Sequence, residues 1–130
     1  MSLMTQVAIE NEFAKFWIDD GIMHFVYNQG LVIDLPTAKK IVADRIRCQN
    51  NIPYPAFADC RGLKEINREA RDYLAKQGSD LVIACALLSG SIVHRTIGNF
   101  YLTLNKPSIP TKLFTEKAEA LNWLQQFVVS

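Results

Sequence analysis

The sequence predicts a mixed α/β domain: one partly parallel sheet with helices packed on it. Three observations carry this. Aromatic and β-branched runs of strand length alternate with segments whose apolar residues recur at helical spacing. Residues 81–88, Leu-Val-Ile-Ala-Cys-Ala-Leu-Leu, are apolar throughout, the composition of a central strand covered on both faces. Near the start, only Asp19-Asp20-Gly21 separates two strand-like runs, and a short Asp/Gly loop in that position marks a hairpin. The predicted order is ββαβαβαβα, about five strands and about four helices. Strands that alternate with helices need crossover connections, so part of the sheet must pair in parallel.

The hairpin is carried by Phe13-Ala14-Lys15-Phe16-Trp17-Ile18 and Ile22-Met23-His24-Phe25-Val26-Tyr27. From Leu35 the period changes. Leu35, Ala38, Ile41, Val42 and Ile46 fall on one helical stripe, with Lys39, Lys40, Asp44 and Arg47 mostly opposite. Asp34 stands at the N-cap, and Pro36 follows near the first helical position, where its missing donor costs little. Asn50-Asn51-Ile52-Pro53-Tyr54-Pro55 ends this helix. A short strand over residues 56–59 and a loop through Gly62 come next. Ile66, Ala70, Tyr73 and Leu74 carry a second helix that Gly78 stops. After the apolar strand, Ser89-Gly90-Ser91 opens a third helix marked by Val93, Ile97, Phe100 and Leu104, with Pro107 and Pro110 about its end. Thr111-Lys112-Leu113-Phe114 reads as the final strand. Thr115 is the expected cap of a last helix with Ala118, Leu121, Leu124 and Val128 on one stripe.

A chain of 130 residues fits one domain, 1–130, that buries roughly two-thirds of its unfolded surface. Residues 1–12 are expected to be poorly ordered or, at Met1-Ser2-Leu3, tag-derived. Hydrophobic residues make up 49% and charged residues 21%, so the chain should fold without staples. A net charge of +1 gives no electrostatic case for nucleic acid or an anionic membrane. No apolar run has the length of a membrane span, and no signal-peptide pattern is present. Cys48, Cys60 and Cys85 are odd in number and form no CxxC pair. That suits reduced thiols in the cytoplasm and argues against a disulfide framework or a thiolate zinc site.

Several chemistries could in principle sit on this frame. A Cys-x5-Arg phosphatase loop needs an arginine six residues after its thiolate, but Tyr54, Ile66 and Ser91 occupy those places. A receiver-like phosphoacceptor has the inventory: Asp59 at a strand end, Ser89 at the next, Lys106-Pro107, and the acids Asp19 and Asp20. The placement is wrong, because the acids lie in a hairpin turn and Lys106 ends a helix; metal-assisted phosphoryl transfer depends on geometry. His24 and His94 lack an acid at metal-ligand spacing, and Ser89-Gly90-Ser91 is no G-x-S-x-G elbow. Ser89, Gly90 and Ser91 do lie where a buried strand meets a helix N-terminus, an anion-friendly place. The simpler role of Ser91 there is a helix cap.

Three stretches, "FADCRGLKEINREARDYLAKQG", "LVIACALLSGSIVHRTIGNFYL" and "PTKLFTEKAEALNWLQ", resemble a STAS-type domain, the SpoIIAA-like fold. The similarity is greatest to the small bacterial SpoIIAA-like proteins of unknown function. In the regulatory members of that group, an Asp-Ser-Ser/Thr-Gly-Leu motif carries a hydroxyl that a partner kinase phosphorylates. The matching residues here are Asp59, Cys60, Arg61, Gly62 and Leu63. Asp59, Gly62 and Leu63 fit, while Cys60 and Arg61 replace the hydroxyls. The resemblance therefore implies the fold without the phosphoswitch.

The expected function is a non-enzymatic regulatory or protein-interaction module. Its candidate interaction loop is Asp59, Cys60, Arg61, Gly62 and Leu63, and its candidate anion-binding helix N-terminus is Ser89, Gly90 and Ser91. No catalytic residue, metal site or cofactor is expected. The expected partner is an unidentified protein, and a homodimer would use the hairpin or the Leu124/Val128 stripe. The alternative is a small apolar, lipid-like ligand held among Phe16, Trp17, Phe25, Tyr27, Phe100 and Tyr101; a receiver-like phosphoacceptor at Asp59 is the third reading.

Overall fold

The computed structural model describes residues 6–90 and 108–129. The expected third helix, with Ser91, Val93, Ile97, Phe100 and Leu104, lies outside them. The described strands are β1 (Gln6–Glu10), β2 (Ala14–Asp19), β3 (Ile22–Tyr27), β4 (Leu31–Ile33), β5 (Tyr54–Asp59), β6 (Leu63–Ile66), β7 (Val82–Leu88) and β8 (Thr111–Phe114). The described helices are α1 (Leu35–Gln49), α2 (Arg68–Lys76) and α3 (Lys117–Gln125), with a 3₁₀ turn at Gln77–Ser79. One six-stranded sheet runs β1-β2-β3-β5-β7-β8, and β4 and β6 form a separate pair. β1, β2 and β3 pair antiparallel; β3, β5, β7 and β8 pair in parallel. The architecture is the mixed α/β sheet that the sequence predicts.

Local chemistry explains the element ends. The hairpin turn places Asp20 and Gly21 at φ 54° and 76°, the two positive angles that an Asp-Gly type I′ turn supplies. Asp34 caps α1 by accepting from the Thr37 N–H at 3.0 Å, and Asn50 ends it in the left-handed conformation. Asn67 caps α2 by accepting from the Ala70 N–H at 2.9 Å.

Three strands exceed the expected count. Within residues 1–12, expected to lack order, Gln6–Glu10 pair with β2. The β2 edge of the hairpin is thus covered by β1. β4 and β6 are only three and four residues long, too short for a periodic signal; each exists by pairing with the other. This moves Ile66 from the second helix into a strand.

The two sheet faces carry separate cores. Ala56 and Ala58 of β5 join Phe25, Ala38, Ile41 and Ala70 beneath α1 and α2. Their neighbour Phe57 points the other way and packs with Ala84, Ala86, Leu88, Ala120 and Leu124 beneath α3, as the two-residue strand period requires. Three assignments on the helices change. Asp44 is buried rather than solvated, because Asn11 donates to it at 2.8 Å and Lys40 and Arg47 flank it at 3.4 and 3.3 Å. Glu116, not Thr115, occupies the α3 N-cap, without a side-chain bond. Ala118 is exposed, and Ala120 takes its inward place.

Candidate functional site

The carboxyl ends of β3, β5, β7 and β8 lie along one edge of the sheet, the edge where parallel α/β sheets gather ligand-contacting groups. At the end of β5 the chain turns sharply. The Cys60 N–H donates to the Leu88 carbonyl at 2.9 Å, and the Leu63 N–H closes the turn on the Cys60 carbonyl at 3.0 Å. Gly30 and Leu31 in turn donate to the Gly62 carbonyl at 2.8 and 3.3 Å. Gly62 sits so close to the chain after β3 that a Cβ would lie 2.6 Å from the Tyr27 carbonyl oxygen and 2.7 Å from that of Asn28. Close backbone approach, rather than phosphorylation chemistry, requires glycine here.

Asp59 is 6% exposed, yet fully engaged. Arg61 donates from Nε to Oδ1 at 2.9 Å and from Nη2 to Oδ2 at 2.7 Å, a two-pronged fork, and its N–H adds a third bond at 3.1 Å. Burial alone would raise the Asp59 pKa. The Arg61 bonds and charge, with Lys117 beyond, outweigh it and hold the carboxyl below its ordinary value. The Arg61 side chain remains 56% exposed and lies over Gly90, where a Cβ would come within 3.2 Å of its Cγ.

Cys60 points to the opposite side of the sheet from Asp59, where burial pushes its thiol well above the ordinary range. The adjacent Arg61 spends its charge on Asp59 and does not activate the thiol. Burial also raises Cys85, to about 12. Both thiols line a cavity of about 120 Å³ between the sheet and α1 and α2, together with Phe25, Ile33, Ile41, Arg45, Arg71, Leu74, Leu87 and Ser89. Ser89 is 2% exposed, and its Oγ has no hydrogen-bond partner among the described residues.

The structure thus brings the two expected groups together, Asp59 through Leu63 and Ser89 with Gly90, on adjacent strand ends. Ser91 lies outside the described residues. Asp19 and Asp20 are at the far end of β3, near the start of the strand whose Val26 lies beside Asp59. Among the described residues the receiver inventory is therefore not assembled; Lys106-Pro107 lies outside them. Of the aromatic residues expected around a ligand, Phe25 and Tyr27 line the cavity. Trp17 instead stacks on His24 on the other face, Phe16 is core, and Phe100 and Tyr101 lie outside the described residues. Leu124 is fully buried beneath α3, so that part of the self-association stripe faces inward. Arg45 was not expected at a site. Its signal was available: residues 38, 41, 42, 45 and 49 continue one helical stripe.

No described helix is long and apolar enough to cross a membrane. The structure resembles an uncharacterised DUF3478-family protein with a SpoIIAA-like fold from Shewanella loihica PV-4, at 14% identity, TM-score 0.59, and 95% and 98% coverage of this chain and that one. A protein of unknown function from Arthrobacter sp. FB24 aligns at 24% identity over 82% of this chain and 88% of that one, with a TM-score of 0.31. No curated protein matches the sequence. A family model described as a domain of unknown function, DUF7793, matches residues 16–128. On these findings the fold is SpoIIAA-like, and the chain belongs to the DUF7793 family.

Proposed function

We propose that the protein is a non-enzymatic cytoplasmic interaction module whose contact surface is the corner formed by Asp59, Cys60, Arg61, Gly62 and Leu63 with Ser89 and Gly90. The observation that carries this is the Arg61 guanidinium, exposed to a partner and already fixed by a buried carboxylate. Ordering a free arginine side chain costs up to about 2 kcal/mol, and a pre-ordered one spares the complex that loss. The described residues of the corner support this reading: the Asp59 oxygens are engaged and burial disfavours the Cys60 thiolate. The free thiols Cys48, Cys60 and Cys85 fit a reducing compartment. The test is affinity capture from native extract with the wild-type chain and with Lys64→Glu, a charge reversal on the exposed rim beside the corner. A discrete complex in analytical ultracentrifugation, lost in Lys64→Glu, supports the reading. A free monomer with no captured protein ends it.

A second reading, binding of a small apolar ligand, is favoured by the cavity of about 120 Å³ between the sheet and α1 and α2. Native mass spectrometry of freshly purified protein tests it. A co-purifying small molecule is expected, and its absence counts against the reading.

A further inference from the structure

Arg45 lies at 3% exposure on the inward face of α1. It lines the cavity and a smaller adjoining one of about 50 Å³. Its guanidinium donates to the Gln49 side-chain oxygen and to the Gly78 carbonyl at 3.2 Å, both neutral acceptors. No carboxylate among the described residues comes within ion-pair distance of it. Residues 1–5 and 91–107 contain no Asp or Glu at all. The exposed Asp80 exerts only a more distant pull. An arginine keeps its charge at any physiological pH, and a buried charge without a counter-charge is costly.

Two further polar groups in the same cavity have unused capacity among the described residues: Ser89 Oγ and Arg71 Nε, each buried without a partner. Buried polar groups are usually bonded, so these two call for an occupant of the cavity, whether a bound group or ordered water. The walls between are apolar, with Phe25, Leu74 and Leu87. Mostly apolar walls with a few placed polar groups are the usual composition of a small-molecule site. A cavity of roughly 150 Å³ holds benzene, so one of about 120 Å³ suits a short skeleton.

Resting on the small-ligand reading, we propose that this cavity binds a small carboxylic acid, its carboxylate on Arg45 and its short apolar body along Phe25, Leu74 and Leu87. The planar guanidinium matches a carboxylate two-pronged, and the acid supplies the counter-charge that no described residue, including the cavity-lining Glu65, places within ion-pair distance of Arg45.

Butyrate, isovalerate and hexanoate, each beside its amide, and the neutral probe benzene test this on the folded wild-type chain by ligand-observed NMR and thermal shift. The acids are expected to bind at least tenfold tighter than their amides. Arg45→Met is expected to abolish that preference, and Arg45→Lys, which keeps the charge but not the fork, to weaken it. Equal binding of acid and amide overturns the proposal. If benzene binds and the acids do not, the small-ligand reading stands and the acid falls; if no probe binds, both fall. Should Arg45→Met fail to fold, the acid–amide comparison on the wild type decides alone.

Discussion

Replacing Arg61 with alanine isolates the interaction that defines the corner. The change removes the two fork bonds to Asp59, at 2.9 and 2.7 Å, and leaves the backbone bond at 3.1 Å. Hydrogen bonds to charged groups contribute about 1.5–3 kcal/mol each, whereas exposed ion pairs contribute about 0.2–1. The carboxylate is buried but the arginine is more than half exposed, so water replaces part of what is lost. The expected cost at neutral pH is therefore about 1–2 kcal/mol by chemical denaturation, or roughly 4–8 °C in Tm. The pH dependence follows from the direction of the shift. Asp59 has a folded pKa below its unfolded one, so its contribution is complete above the unfolded value, about 3.9. It is lost as pH falls through the folded value. The wild-type and variant stability curves should converge in that acid range. A cost under about 0.3 kcal/mol at neutral pH, smaller than an exposed pair usually gives, would refute the fork's role. So would a difference that persists unchanged in strong acid.

Gly62→Ala should cost about 2–3 kcal/mol, because the new Cβ meets backbone at 2.6 and 2.7 Å; a neutral effect on urea unfolding would contradict that packing. Asn67→Ala should cost about 1 kcal/mol through loss of the α2 cap, while Thr115→Ala, away from any cap bond, should leave the unfolding midpoint unchanged. Cys60 and Cys85 should react with iodoacetamide near neutral pH more slowly than a free thiol, because burial disfavours both thiolates; faster labelling would show an activated thiol.

Much of the frame was legible because it rests on local signals. The Asp-Gly turn, the Asp34 cap with Pro36, and the apolar run of β7 each dictate structure from a few neighbouring residues. β4 and β6 were not legible: Leu31–Ile33 and Leu63–Ile66 become strands only by meeting across the 29 residues between them. Long-range partners also hid Asp44, a charge that reads as solvated until Asn11 is seen donating to it. At the site, the adjacency of the β5 and β7 ends that carry Asp59 and Ser89 followed from parallel strand order. The Asp59–Arg61 fork, only two residues apart, depends on a turn that brings the guanidinium back. Arg45 was obscured because a charged residue on a helix is usually assigned to water, although its spacing put it on the buried stripe.

The corner's role as an interaction surface is tested most directly by a photo-crosslinking amino acid placed at Lys64, exposed on β6 beside the corner, and separately at Lys39, exposed on α1. In native extract, the Lys64 position should yield one discrete crosslinked protein that is lost on Arg61→Ala, while the Lys39 position yields none. Equal crosslinking from both positions, or none from Lys64, would contradict the interaction surface assigned to Asp59 through Leu63.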